Sequence, residues 1–246
     1  MPVKKRLEWG DSKGGAMNTV PPLLSSLISL VFAALVLDQY RHRHRPYQLV
    51  WAAGLLMYAV ATFCEFAIGG FGLRSVFYRG WYLFGAMYVA AYLGMGTLYL
   101  LLPRKTTHVV MGVLLLASVY ALVRVAAAPL DLAQLVEGDV LRGAALPKSV
   151  RLLTPFFNVF GTVALVGGAA YSAFVFWRRR LMPHRVMSNV LIAAGALFPA
   201  LGGTFSRFGL PQFLYVLELL GIIVIFLGFL RSSEVFAVPV RRAART

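Results

Sequence analysis

Acidic residues are few in this sequence: nine among 246, against 24 Lys and Arg. Only Glu65 and Glu218 of the nine fall inside long apolar runs. A proton or ion relay across a whole membrane would therefore lack stepping stones on one side. Lysine is missing from the apolar runs altogether, because Lys4, Lys5, Lys13, Lys105 and Lys148 all lie outside them, and a retinal Schiff base has no amine to form on. A single cysteine, Cys64, rules out an intrachain disulfide. The four histidines, His42, His44, His108 and His184, sit in or beside basic loops. None pairs at ligand spacing within an apolar run, which argues against an intramembrane zinc hydrolase and against bis-histidine haem. H-E-x-x-H, a Walker loop and G-x-S-x-G are all missing. No catalytic residue, metal or cofactor is expected, and the chain does not read as an enzyme.

What is present in quantity is apolar: 59% of residues are hydrophobic and 13% charged, where a soluble domain carries about 25% charged residues. Mean hydropathy is +0.74. The charges gather in short clusters between apolar runs of membrane-spanning length, so the class is an all-α polytopic membrane protein. The alternating, turn-punctuated pattern of a membrane β-barrel is absent. In a soluble protein a net charge of +15 would point to nucleic acid. Here basic clusters at span ends are expected to contact the lipid bilayer and its anionic headgroups, chiefly through Arg41, Arg43, Arg45, Arg178, Arg179 and Arg180, and no nucleic acid partner is expected.

The runs predict a seven-transmembrane-helix bundle with spans near 21–37, 47–69, 77–102, 108–128, 152–177, 186–206 and 212–230. Residues 1–20 form an N-terminal tail that contains a second candidate start at Met17, residues 21–230 the transmembrane domain, and 231–246 a basic tail. Basic residues decide orientation. With the N-terminus outside, the inner segments hold RHRHR (41–45), Arg104, Lys105, RRR (178–180), Arg185 and the C-terminal arginines, more than the outer segments hold. The margin widens if Met17 is the start. The expected placement is a cell membrane of plasma or bacterial inner type, N-terminus outside and C-terminus cytoplasmic. WAAGLLMYA in the second span echoes IAAGALFPA in the sixth, each after a basic loop and each before Phe-Gly-Leu. A parallel 3+1+3 repeat, with the fourth span as linker, would produce that echo.

Lipid solvates leucine as well as protein does, so small and polar residues mark the inward helix faces. Such faces are Gly54, Tyr58, Thr62, Glu65 and Gly69 on span 2, and Trp81, Gly85, Tyr88, Tyr92, Gly96 and Tyr99 on span 3. Span 5 offers Thr154, Asn158, Gly161 or Thr162, Gly168 and Ser172; span 6 Asn189, Ala193, Ala196, Ala200, Gly203 and Arg207; span 7 Tyr215, Glu218, Gly221 and Gly228.

The stretch ATFCEFAIGG (61–70) puts Glu65 about 6 Å below the outer span end; Glu218 lies about 10 Å and Arg124 about 8 Å below the same surface. Ionisable groups at one depth are tolerable when paired. The expected pairing is Glu65 or Glu218 with Arg124, with Arg79 and Arg207 at the rim. Two readings follow: a structural salt-bridge cluster, or an outer-facing polar pocket lined by Glu65, Glu218, Tyr88, Tyr92 and Asn158 that takes a small-molecule ligand. Pro199, mid-span in span 6, is a candidate hinge. In the connection 129–150, Leu132, Leu135 and Val136 share one side of a possible surface helix. The functional expectation is a carrier for a small polar or amphipathic molecule. The alternatives are a seven-helix sensor or receptor signalling to a separate cytoplasmic partner, and a structural subunit of a membrane complex.

Overall fold

In the computed structural model, residues 15–131, 141–179, 183–208, 210 and 213–232 are described. They form seven long helices: α1 (Gly15–Arg43), α2 (Pro46–Phe71), α3 (Ser75–Leu101), α4 (Arg104–Ala127), α5 (Lys148–Arg178), α6 (Pro183–Arg207) and α7 (Phe213–Ser232). Each contains a stretch long and apolar enough to cross a membrane, and the chain is an integral membrane protein. Each expected span coincides with one of these helices; 77–102 and 108–128 overrun α3 and α4 by one residue, and residue 212 at the start of the last span lies outside the described residues.

The short turns follow from local chemistry. Pro46 disfavours helical backbone at the residue before it, and Arg45 is extended at φ −93°, ψ 125°. His44 takes the left-handed conformation at φ 47° and its N–H donates to the Tyr40 carbonyl at 2.8 Å, closing α1 as a C-cap does. Pro46 then begins α2, where a missing N–H costs nothing. At the other end of α2, Gly72 stands at φ +89°, a conformation that favours glycine.

Six helices form a ring. In it α1 packs on α2, α2 on α3, α3 on α5, α5 on α6, α6 on α7, and α7 closes onto α1. Helix α4 leans from outside on α3 and on the first turn of α5. Exchanging α1, α2 and α3 for α5, α6 and α7 leaves this pattern of neighbours unchanged, which is the arrangement a 3+1+3 repeat requires. The outside of α4 carries Val109, Val113, Leu116, Val119 and Val123, with Leu116 74% exposed. A row of that kind is stable only where hydrocarbon replaces water.

Close backbone approach sets the ring. Gly161 of α5 lies so near Ala90 of α3 that a Cβ would overlap the Ala90 backbone. A Cβ on Gly221 of α7 would come within 2.8 Å of the Gly195 carbonyl and 3.0 Å of Pro199 Cδ on α6. Phe32 of α1 packs on Phe226 and Phe229 of α7, with ring centroids 4.9 and 4.8 Å away. The buried stripe of α6 is Ser188, Ile192, Gly195, Gly202 and Ser206, one residue off the expected face, and Ala200 is exposed. The physical reason is the contact with α7: the glycines that admit its backbone, rather than the alanines, turn inward.

Two stretches widen to π-helix, Trp81–Tyr88 in α3 and Val163–Gly167 in α5. The connection after α4 returns to the bundle, where Leu141, Ala145 and Leu146 are buried and Tyr78 donates to the Arg142 carbonyl at 2.6 Å. Leu132, Leu135 and Val136, and with them the expected surface helix, lie outside the described residues, as do residues 1–14 and 233–246 of the two tails. One end of the bundle thus carries the long connection and the other the RHRHR and RRR loops; these are called the long-loop end and the basic end below.

Candidate functional site

Glu65 is 4% exposed and lies six residues before the end of α2, roughly 9 Å below the long-loop end. Glu218 lies five residues into α7, roughly 8 Å from the same end. Helices α2 and α7 run in opposite directions, and side chains tilt toward the N-terminus of their own helix. Glu65 therefore leans toward the middle of the bundle and Glu218 toward the long-loop end, and the two carboxyl groups meet within hydrogen-bonding reach.

Their surroundings are partly polar. The indole Nε1 of Trp81, at the start of the α3 π-segment, donates to Glu65 Oε1 at 2.7 Å. The Tyr58 hydroxyl, two turns below Glu65 on the same face of α2, donates to the Glu218 backbone carbonyl at 2.9 Å. Cys64 is buried beside Gly80, where a Cβ would come within 3.0 Å of its Sγ. The second oxygens, Glu65 Oε2 and Glu218 Oε2, are buried and, the contact between the two carboxyl groups apart, have no hydrogen-bond partner. Among the described residues neither carboxyl is ion-paired with Lys or Arg. Two adjacent carboxyl groups cut off from water cannot both stay charged without a positive partner.

The other expected site residues are elsewhere. Arg124 is not paired with either glutamate; its guanidinium donates to Tyr120 at 3.3 Å and to Ser149 at 3.2 Å. It shares the depth of the glutamates but sits on α4, outside the ring. Arg79 donates to the carbonyls of Val125, of Ala126 at 2.9 Å and of Ala128 at 2.8 Å, so it caps the last turn of α4, whose carbonyls have no partners within the helix. Tyr88 and Tyr92 turn away from Glu65 toward α4, donating to the Ser118 carbonyl and, at 3.1 Å, to its hydroxyl. Asn158 donates to the Ala86 carbonyl at 2.8 Å, inside the π-segment, where the widened turn changes which amides reach which carbonyls. Arg207 ends α6, and its side chain lies outside the described residues.

No single pocket therefore unites Glu65, Tyr88, Tyr92 and Asn158. Those four fall into three separately bonded groups, and Glu65, Tyr88 and Tyr92 are each at most 6% exposed. Pro199 lies within the continuous helix α6, packed on Gly221.

Trp81 and Tyr58, which sequence reading placed only on inward faces, are the donors around the acid pair. The signal was the seven-residue step from Tyr58 to Glu65. Ser25 and Ser29 of α1 were missed entirely. Both are 0% exposed, and neither hydroxyl has a hydrogen-bond partner. The serine cluster in PPLLSSLISL is the signal that could have found them.

A hollow of about 340 Å³ lies at the long-loop end between Pro129–Asp131 and Ala144–Arg151, formed by the connection and the start of α5. Comparison with protein-family models, curated proteins and solved structures finds no match to this chain.

Proposed function

We propose that this protein is a membrane carrier that binds a small polar or amphipathic molecule inside the six-helix ring, at the Glu65–Glu218 pair. The observation that carries the reading is the pair itself: two carboxyl groups, one from each half of the ring, that meet with no Lys or Arg paired to either among the described residues. A purely structural contact gains nothing from burying two carboxyl groups without a counter-charge, whereas a ligand can complete them. Sites at the interface of two helix triplets, near the membrane interior, are the common plan of secondary carriers. With the N-terminus outside, the long-loop end faces outward and the structure corresponds to a closed state. Pro199 on Gly221 ties α6 to α7, so these two helices move together when the site opens, with Pro199 as the hinge. At the basic end, Arg41, Arg43, Arg45, Arg178 and Arg179 are exposed and hold anionic headgroups on the cytoplasmic side.

The test is a thermal-stability screen of the full chain in nanodiscs against neutral, anionic and cationic small molecules. At least one compound is expected to stabilise the native protein, because a ligand that binds only the folded state raises its stability. Glu65→Gln and Glu218→Gln should abolish that response. If no small molecule stabilises the native protein, the carrier reading fails.

A further inference from the structure

The connection after α4 ends in a strap, residues 141–146, at the long-loop end of the ring. Leu141, Ala145 and Leu146 of the strap are at most 7% exposed. They share one buried cluster with Tyr78, Trp81 and Tyr82 of α3. Gly143 rests on the Tyr82 ring, where a Cβ would come within 2.7 Å of Cε2. Tyr78 and Tyr82 pack in turn on Trp81, with ring centroids 5.6 and 5.8 Å away, and Trp81 donates to Glu65. Tyr78 lies three residues into α3, and Ser206 is the last residue but one of α6. These strap contacts are thus within about 5 Å of the long-loop end, nearer to it than the carboxyl pair at roughly 8–9 Å.

One residue of the strap joins the two halves of the ring. The Arg142 carbonyl accepts from the Tyr78 hydroxyl at 2.6 Å, and the Arg142 guanidinium donates to the Ser206 carbonyl at 3.4 Å. Helices α3 and α6 belong to opposite triplets and are not neighbours in the ring. The strap is also tied to the end of α4, where the Asp131 N–H donates to the Ala145 carbonyl at 3.0 Å, and to itself, where the Leu146 N–H donates to the Gly143 carbonyl at 3.2 Å. On its far side it borders the hollow of about 340 Å³ between Pro129–Asp131 and Ala144–Arg151, so there is room for it to move. A segment with few bonds and open space beside it opens more easily than the helices it covers. Tyr78 is 0% exposed, and water must take the place of the Arg142 carbonyl if the strap leaves. Lifting the strap and hydrating the space above Trp81 are therefore one event.

We propose that residues 141–146 are the gate of this carrier at the long-loop end: lifting them off Tyr78 and Ser206 opens the way to Trp81 and the Glu65–Glu218 pair. This inference rests on the carrier reading and names the element that admits the ligand. Pro199 couples the gate to the helices. Ser206 lies seven residues beyond Pro199, on the long-loop side of it. A bend of α6 at Pro199 carries Ser206 away from Arg142 and breaks the bridge between the halves. Closure over a site by a short segment, released as the two halves move, is a common plan for controlled access.

The chain carries its own reporter. Cys64 is the single cysteine; it is 6% exposed, next in sequence to Glu65, and in the same buried cluster as the strap. The experiment follows modification of Cys64 by a membrane-impermeant maleimide in the full chain in nanodiscs, with no ligand added. Tyr78→Phe removes the donor to the strap and keeps the ring, and should raise the labelling rate about fivefold, the effect of losing one ordinary hydrogen bond from the closed state. Arg142→Ala, which removes the bridge to Ser206, should raise it by a similar factor. Ser118→Ala, which loosens α4 at a distance from the strap, should leave it unchanged. Rates unchanged in both strap variants, or raised as much by Ser118→Ala, would overturn the gate. Should a strap variant fail to fold, the native chain still decides. Its opening equilibrium read from Cys64 labelling should agree to within about threefold with that read from hydrogen exchange at the Leu146 amide, as for one cooperative opening. Labelling that occurs only on global unfolding, far more rarely than exchange at Leu146, would overturn the gate. Because no ligand enters these measurements, unchanged labelling beside a stabilising compound removes the gate and leaves the carrier reading standing. Labelling controlled by the strap beside a silent compound screen removes the carrier reading alone.

Discussion

Two polar clusters lie within this bundle, and they are built to opposite rules. Between α3 and α4, Tyr88 and Tyr92 share Ser118, whose hydroxyl in turn bonds Leu114, and Arg79 closes the carbonyl end of α4. Every group that this cluster brings inside finds a partner. Between α2, α3 and α7, Glu65 receives one bond from Trp81 and Glu218 receives one on its backbone from Tyr58, while the second carboxyl oxygens find no partner beyond the opposing carboxyl group. The first cluster attaches a peripheral helix to the ring. The second sets two buried carboxyl groups against each other without a counter-charge, a folding cost that a bound ligand would relieve. Satisfaction of hydrogen bonds, rather than polarity, separates scaffold from site.

That contrast can be broken by substitution. The largest loss of stability is expected from Arg79→Ala, which strips the caps from the last carbonyls of α4 and should cost about 3 kcal/mol. Thermal unfolding in nanodiscs should show it, with the ligand response of the remaining folded protein unchanged. Ser118→Ala should cost about 1 kcal/mol by the same measurement, again without touching the ligand response. Trp81→Phe keeps the ring packing but removes the indole donor to Glu65. A smaller stability change is expected, under about 1 kcal/mol, with a tenfold or greater change in apparent ligand affinity. Tyr58→Phe should move stability least, because the Glu218 backbone carbonyl keeps its place within a helical turn. If Ser118→Ala altered ligand affinity as strongly as Trp81→Phe, the division between the clusters would be wrong.

Much of this was legible in the sequence. Seven apolar runs separated by basic clusters leave little freedom, because only helices bury their own backbone groups in lipid. The meeting of Glu65 with Glu218 was foreshadowed by depth, since residue counts from span ends convert directly into distance along the membrane normal. Position around the bundle was not legible in the same way. Arg124 has the right depth but belongs to the helix left outside the ring, and nothing local to α4 announces that. Tyr88 and Tyr92 share a face with Trp81 by helical spacing, yet the π-segment Trp81–Tyr88 shifts the register between them, and the two tyrosines turn to α4. On α6 the inward stripe was misjudged by one residue because alanine and glycine look alike as small residues, whereas only glycine admits the backbone of α7 at Gly195 and Gly202. Ser25 and Ser29 gave a weak signal, since buried serines ordinarily satisfy themselves within their own helix.

The central claim is that two carboxyl groups from opposite halves of the ring touch inside it, and a double-mutant cycle on unfolding free energy tests this most directly. Glu65→Gln, Glu218→Gln and the double variant, compared in nanodiscs at one pH, should show a coupling above about 1 kcal/mol, as contacting buried groups do. Effects that add to within about 0.5 kcal/mol, the behaviour of separated sites, would contradict it.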